Sequence, residues 1–65
     1  MNLESLKIKI KEFGYSNFIK IKNNRILLAN VANYKKIEIT LEITNCLFDE
    51  GIAYWVDEDF NIILE

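Results

Sequence analysis

The stretch KIEITLEIT, residues 36–44, alternates polar and apolar side chains without interruption. Its odd-numbered positions hold Ile37, Ile39, Leu41 and Ile43, and glutamate or threonine occupies each position between them. Successive side chains of a β-strand point to opposite faces, and β-branched residues are enriched in strands. The pattern therefore predicts a strand with one buried and one solvated face, around which the rest of the fold is arranged.

The chain after this stretch contains two further apolar segments, residues 52–56 and residues 60–64. Each segment is preceded by a cluster of turn residues, DEG at residues 49–51 and DED at residues 57–59. Short apolar runs bounded by such clusters predict strands that are joined by tight turns.

Upstream of the central stretch, residues 18–29 predict a β-hairpin. Residues 18–22 alternate and include β-branched side chains. Asn23 and Asn24 can form a two-residue turn, because asparagine tolerates positive φ better than most residues. Residues 25–29 then form the returning strand. A helix over residues 25–35, with its apolar side chains on one stripe, is the competing interpretation.

Residues 2–13 carry apolar side chains at helical spacing between two capping residues. Asn2 is a favourable N-cap, and Gly14 stands where a left-handed residue commonly ends a helix. Residues 6–11 alternate strictly, however, as a strand would. Because the caps agree with the helical period, we predict a helix and keep the strand as the alternative.

Together these elements predict an α+β fold in one domain, residues 1–65. An N-terminal helix is followed by about five antiparallel strands, in a small bent sheet or a small barrel. Contiguous apolar runs occur at residues 26–28, 54–56 and 62–64, so these strands are apolar on both faces. Since one short helix cannot cover a whole second face, we expect another subunit or a partner to cover the remainder.

The composition fits a folded domain near the lower size limit for independent folding. The chain has 65 residues, 51% of them apolar, and a domain of about 60 residues buries only about 60% of its unfolded surface. The single cysteine, Cys46, excludes an internal disulfide and suits a reducing compartment. The chain has neither an apolar stretch of about 18 residues nor a secretory signal pattern. We therefore expect a cytoplasmic protein without a membrane partner.

Charge is divided unevenly along the chain. Residues 1–36 hold all eight basic residues and two acids, whereas residues 37–65 hold eight acids and no base. Such asymmetry indicates a charged partner. The alternative is that the two halves neutralise each other within one sheet or between subunits.

The sequence offers little material for catalysis. It contains no histidine, so the usual general base at neutral pH is missing and Cys46 has no histidine to activate it. It has no glycine-rich phosphate loop and no ligand spacing typical of a zinc or calcium site. We expect no enzymatic activity, no catalytic residues, no metal site and no cofactor.

A family resemblance covers residues 39–65. An alternating stretch is followed by a turn, a glycine, an aspartate six residues later, an aromatic residue, an asparagine and an apolar strand that ends in an acid. The matching positions are Gly51, Asp57, Phe60, Asn61 and Leu64. This order resembles the first motif of Sm-like RNA-binding proteins, although Cys46 replaces the glycine usual in the first turn.

The resemblance implies a strongly bent SH3- or Sm-like barrel of five strands that forms rings and binds single-stranded RNA. Phe60 would stack on a base, Asn61 would hydrogen-bond the edge of that base, and Asp57 would hold the loop.

Two functional hypotheses follow. The first is a small non-enzymatic module that docks on a protein partner through an apolar sheet face and its acidic C-terminal half. Its contact residues would be Tyr54, Trp55, Asp57, Glu58 and Asp59, because one of the two adjacent aromatic rings must face outward and exposed rings are typical interface anchors. The alternative is an Sm-like oligomer that binds single-stranded RNA. We expect a homo-oligomer in either case.

The abundance of asparagine, isoleucine and lysine suggests an AT-rich coding sequence. A concrete version of the first hypothesis is therefore an inhibitor from a phage or a mobile element. Its acidic side chains would compete with nucleic acid for the groove in which a target protein binds that nucleic acid.

Overall fold

The computed structural model describes residues 3–65, which form two helices and four strands. In chain order they are α1 (Glu4–Phe13), β1 (Ile19–Lys22), β2 (Arg25–Leu28), α2 (Asn33–Asp49), β3 (Tyr54–Val56) and β4 (Ile62–Leu64). The strands form one sheet in the order β1-β2-β4-β3, with every neighbouring pair antiparallel. The predicted α+β class is confirmed, with four strands instead of about five. Of the two predicted forms, a small sheet or a barrel, the strands form a sheet that is not closed.

The prediction of a strand at KIEITLEIT is wrong, because this stretch lies within α2. Residues two apart stand about 200° apart on a helix, whereas residues four apart share a face. The alternating apolar set therefore divides into two rows: Ile39 and Ile43 are completely buried, while Ile37 and Leu41 are exposed. Leu47 continues the buried row one turn later. A pattern of period two can thus fit a helix when one of its rows faces a core.

Because α2 extends to Asp49, the predicted turn at residues 49–51 is the end of this helix and not a link between two strands. Gly51 has a φ of +71°, a left-handed conformation that glycine adopts without a steric penalty. The chain then leads into β3, which is shorter than the predicted segment at residues 52–56.

The N-terminal helix and the first hairpin are confirmed. α1 ends at Gly14, whose φ is +81° and whose N–H donates to the Lys11 carbonyl at 3.1 Å. The predicted cap at Asn2 lies outside the described residues. β1 and β2 pair around the turn at residues 23–24, so the competing helix over residues 25–35 is wrong for its first half.

Both helices pack on one face of the sheet, where the inward rows of α1 and α2 meet the buried side chains of β2 and β4. The core consists of Leu6, Ile10, Tyr15, Ile26, Leu28, Ile39, Ile43, Cys46, Leu47, Ile62 and Leu64. The two described helices leave the opposite face of the sheet open. The described residues therefore form a two-layer structure, whose outer surfaces are the open face of the sheet and the outward sides of the helices.

Candidate functional site

The open face of the sheet carries a row of side chains that crosses all four strands. The register places Lys22 opposite Arg25, Arg25 opposite Ile63, and Ile63 opposite Trp55. Side chains directly opposite each other on antiparallel strands share a face and lie about 5 Å apart. The row therefore changes from basic on β1 and β2 to apolar on β4 and β3. We use the term open sheet face for these four residues together with Lys20 and Leu27.

Trp55 is the exposed aromatic residue of this face. Its side chain is 53% exposed, whereas the neighbouring Tyr54 is half-buried and packs against the core. Leu27 and Ile63, also on the open sheet face, are half-buried. Leu27, Ile63 and Trp55 are apolar residues on the outward face, as expected for strands that are apolar on both faces. Of the two adjacent aromatic rings, that of Trp55 faces outward.

The turn between β3 and β4 is organised by the carboxylate of Asp57. Its Oδ1 accepts hydrogen bonds from the backbone N–H groups of Asp59 and Asn61, both at 2.9 Å. Its Oδ2 accepts a hydrogen bond from Nδ2 of Asn61 at 3.3 Å. Glu58 and Asp59 are exposed at the tip of the turn. Asp57 therefore shapes the turn, and the other two acids are accessible to a partner.

Phe60 and Asn61 make contacts within the fold. Oδ1 of Asn61 accepts a hydrogen bond from the backbone N–H of Leu28 at 3.1 Å, just beyond the last β2–β4 pair. Phe60 is half-buried against the core, and its carbonyl accepts a hydrogen bond from Oγ1 of Thr40 at 3.2 Å. These are the two residues that the Sm-like resemblance assigns to an RNA base. The same resemblance treats residues 39–44 as a strand, whereas they are helical.

The surroundings of Asp57 in the folded chain stabilise the ionised form of its carboxyl group. Partial burial alone would raise the pKa of Asp57. The hydrogen bonds from Asn61 and Asp59, together with the positive charge of Arg25, outweigh this effect and hold the pKa below its ordinary value of 3.8. The folded chain therefore favours the ionised carboxylate more strongly than the unfolded chain does.

We expect Asp57→Asn to lower the free energy of unfolding by about 1 kcal/mol at neutral pH, because hydrogen bonds to the charged carboxylate are weakened. The loss should shrink in acid. A pKa that is lowered by folding gives a stabilisation that is present above the unfolded value and is lost as pH falls through the folded value. Urea unfolding of both chains at neutral and acidic pH measures this difference.

The matched control is Asp59→Asn, which makes the same chemical change at an exposed position of the same turn. It should leave the pH dependence of stability close to that of the original chain. A loss for Asp57→Asn that is equal at every pH would contradict the role of the ionised carboxylate.

Acidic side chains, Cys46 and Tyr15 are further groups of potential reactivity in the described part of the chain. Among residues 3–65, no group of three or more acidic or cysteine side chains is placed to hold a metal ion. Cys46 is buried on the inner side of α2. Burial, together with the hydrogen bond and the negative charge of Glu42 and the charge of Glu38, raises the pKa of Tyr15 above its ordinary value.

A second exposed apolar surface, on α2, was missed by the sequence analysis. Tyr34, Ile37, Leu41 and Phe48 are 76%, 46%, 59% and 77% exposed. Their spacings of three, four and seven residues place them along one side of the helix. We use the term α2 stripe for these four residues. The signal was present in the sequence, but it becomes visible only when residues 33–49 are treated as one helix.

Comparisons of the chain with family models, with curated proteins and with solved structures find no match.

Neither helix in the described part of the chain is long and apolar enough to cross a membrane.

Proposed function

We propose that this chain is a small, non-enzymatic module that docks on a protein partner through its open sheet face. The observation that carries the proposal is the row from Lys22 through Arg25 and Ile63 to Trp55, on a side of the sheet that neither described helix covers. Tryptophan and arginine are enriched among the residues that contribute most binding energy at interfaces. Trp55 is the anchor in this proposal, and Leu27 and Ile63 extend its apolar surroundings.

The charges around the open sheet face define the chemistry of the partner. Lys20, Lys22 and Arg25 lie on β1 and β2, whereas Glu58 and Asp59 project from the turn that follows β3. A complementary partner offers acidic groups to the first set, basic groups to the second and an apolar pocket to Trp55. A protein surface can present both signs of charge within one interface, and this requirement favours a protein as the partner.

Single-stranded nucleic acid is the second candidate, and it is favoured by three basic side chains that share a face with Trp55. Aromatic side chains on an open sheet stack on bases, and basic groups contact phosphates. In this version Trp55 would stack on the base, in place of Phe60. The acidic turn beside Trp55 would repel a polyanion, so we rank this candidate second.

We propose a cytoplasmic setting for this module, and a phage or a mobile element as its source. A single cysteine suits a reducing cytoplasm, and the AT-rich residue usage suits a phage or a mobile element. In that setting the module would inhibit a host protein that binds nucleic acid, with Glu58 and Asp59 opposing basic groups of that protein.

The test places a photo-crosslinking amino acid at position 55 and, as a control, at position 8 in cells that express the chain. Ile8 is 57% exposed on α1 and lies outside the open sheet face. We expect a discrete protein adduct from position 55 that survives nuclease treatment and is absent from position 8. The double charge reversal Lys22→Glu with Arg25→Glu should weaken this adduct, because it removes the complementary charges.

Two results would overturn the proposal. Equal adducts from positions 55 and 8 would mean that the open sheet face has no preferred partner. An adduct that nuclease removes, together with quenching of the single tryptophan by an oligonucleotide in a salt-dependent manner, would replace the protein partner with nucleic acid.

A further inference from the structure

The α2 stripe lies on the side of α2 that faces away from the core, so it is separate from the open sheet face. The inward row of α2, with Ile39, Ile43 and Leu47, packs into the core, while the stripe remains exposed along the same helix. We propose that the α2 stripe forms a two-fold symmetric homodimer, in which α2 of one chain packs antiparallel on α2 of a second copy. This inference is independent of the proposed function.

The spacing of three residues of the α2 stripe, Tyr34, Leu41 and Phe48, makes them complementary to the same three residues of a second copy, and Ile37 then lies against Asn45 of that copy. Tyr34 and Phe48 each lie seven residues from Leu41, and the whole stripe is about 21 Å long at 1.5 Å per residue. A two-fold axis at Leu41 therefore brings Tyr34 of one chain against Phe48 of the second copy, and Leu41 against Leu41. Such self-complementarity is the property that a symmetric dimer interface requires. The heptad spacing is also the one that lets two helices pack along their length.

The exposed area of the α2 stripe is sufficient for a weak dimer. With about 200 Å² for a fully exposed aromatic side chain, Tyr34 and Phe48 contribute roughly 300 Å² per chain, and Ile37 and Leu41 add smaller aliphatic areas. Complete burial of the stripe in two copies would therefore remove somewhat less than about 1,000 Å² from water, which is the size of a weak interface. An apolar patch of this size is also near the upper end for a monomeric protein.

The charges beside the α2 stripe are compatible with this arrangement. Glu38 flanks the stripe, and its Oε2 lies 3.2 Å from Nζ of Lys35 in the same chain. The two-fold axis at Leu41 brings Glu38 near the exposed Asn45 of the second copy. The amide of Asn45 can donate a hydrogen bond to the carboxylate there, and no like charge stands directly opposite it.

The two open sheet faces of such a dimer would both be directed away from the interface, because each sheet lies on the far side of its own α2. Each face would stay accessible to a partner.

The experiment measures molar mass by light scattering during gel filtration, at protein concentrations from about 1 μM to about 1 mM, which bracket weak interfaces of this size. We expect the mass to rise with concentration from 7.7 kDa for one chain towards that of two chains. Leu41→Glu and Leu41→Lys should each weaken association by at least about 50-fold, because two like charges meet at the axis. The control is Ile8→Glu, at an exposed position of α1, and this variant should associate like the original chain.

The decisive step is to mix the two Leu41 variants in equal amounts. At a two-fold axis, glutamate of one chain meets lysine of the other, so the mixture should recover a dimer that neither variant forms alone. Circular dichroism should show unchanged helix content, since Leu41 is exposed. An original chain that stays monomeric at every concentration would overturn the proposal. So would a mixture that stays monomeric, or a loss of association in Ile8→Glu as large as in the Leu41 variants.

Discussion

Replacing Ile43 with alanine is expected to lower the free energy of unfolding by about 2–5 kcal/mol, whereas the same replacement at Leu41 should cost about 0.5 kcal/mol or less. The two residues are separated by one position in the sequence. Ile43 is completely buried, and Leu41 is 59% exposed. The large loss at Ile43 combines the apolar surface returned to water with the cavity left in a closely packed core.

This pair of substitutions distinguishes a helix from a strand. On an alternating strand, positions 41 and 43 would share one face, and both replacements would cost a similar amount. On α2 they lie about 200° apart, so only one of them faces the core. Urea unfolding at low micromolar protein concentration measures both losses while the proposed self-association is weak.

A small domain can lose all of its stability when a core isoleucine is truncated. Ile43→Val therefore accompanies Ile43→Ala, with an expected loss of about 0.5–1.5 kcal/mol that remains measurable. Equal losses at positions 41 and 43 would contradict the helix and would restore the strand that the sequence pattern suggested.

The error at KIEITLEIT has a physical origin. An apolar residue at every second position contains two rows of period four, and each row alone is a helical pattern. Local alternation cannot decide between the two structures, because the decision depends on what packs against the segment. The sequence did contain a cue: residues 33–49 include no glycine and no proline, so nothing interrupts a long helix.

The hairpins were predictable because their turns carry local information. Asn23 adopts a φ of +54°, the kind of conformation that asparagine tolerates, and Asp57 accepts hydrogen bonds from the turn that follows it. Such signals act over two to four residues and need no tertiary contact. Because these turn signals are local, they determine where the chain turns but not which strands become neighbours in the sheet.

The candidate site was predictable in part. The alternation of side chains along a strand showed that either Tyr54 or Trp55 faces outward, but it could not identify which of the two does so. The choice depends on the pairing of β3 with β4, in which Tyr54 lies opposite the buried Leu64. The basic half of the open sheet face could not be predicted, because placing Arg25 beside Ile63 requires β2 and β4 to be neighbours across 38 residues of chain.

The adjacent residues Trp55 and Tyr54 should affect different properties when they are replaced. Under the proposed function, Trp55→Ala is expected to weaken binding to the protein recovered by crosslinking by more than about 2 kcal/mol, or roughly 30-fold in the dissociation constant. The reason is that a buried interface tryptophan contributes a large apolar area and the exclusion of water around it. Stability should change little, since this side chain is 53% exposed in the free chain.

Tyr54→Ala should do the reverse, because Tyr54 packs against the core opposite Leu64. We expect it to lower the free energy of unfolding by about 2 kcal/mol, and the fraction that remains folded should bind with nearly unchanged affinity. Calorimetric titration gives the affinities, and urea unfolding gives the stabilities. A Trp55→Ala effect on binding below about 0.5 kcal/mol would remove this residue from the interface, since energetic anchors cost several times that amount when truncated. Affinity lost equally in both variants would mean that binding depends on the integrity of β3, and not on the ring that the open sheet face presents.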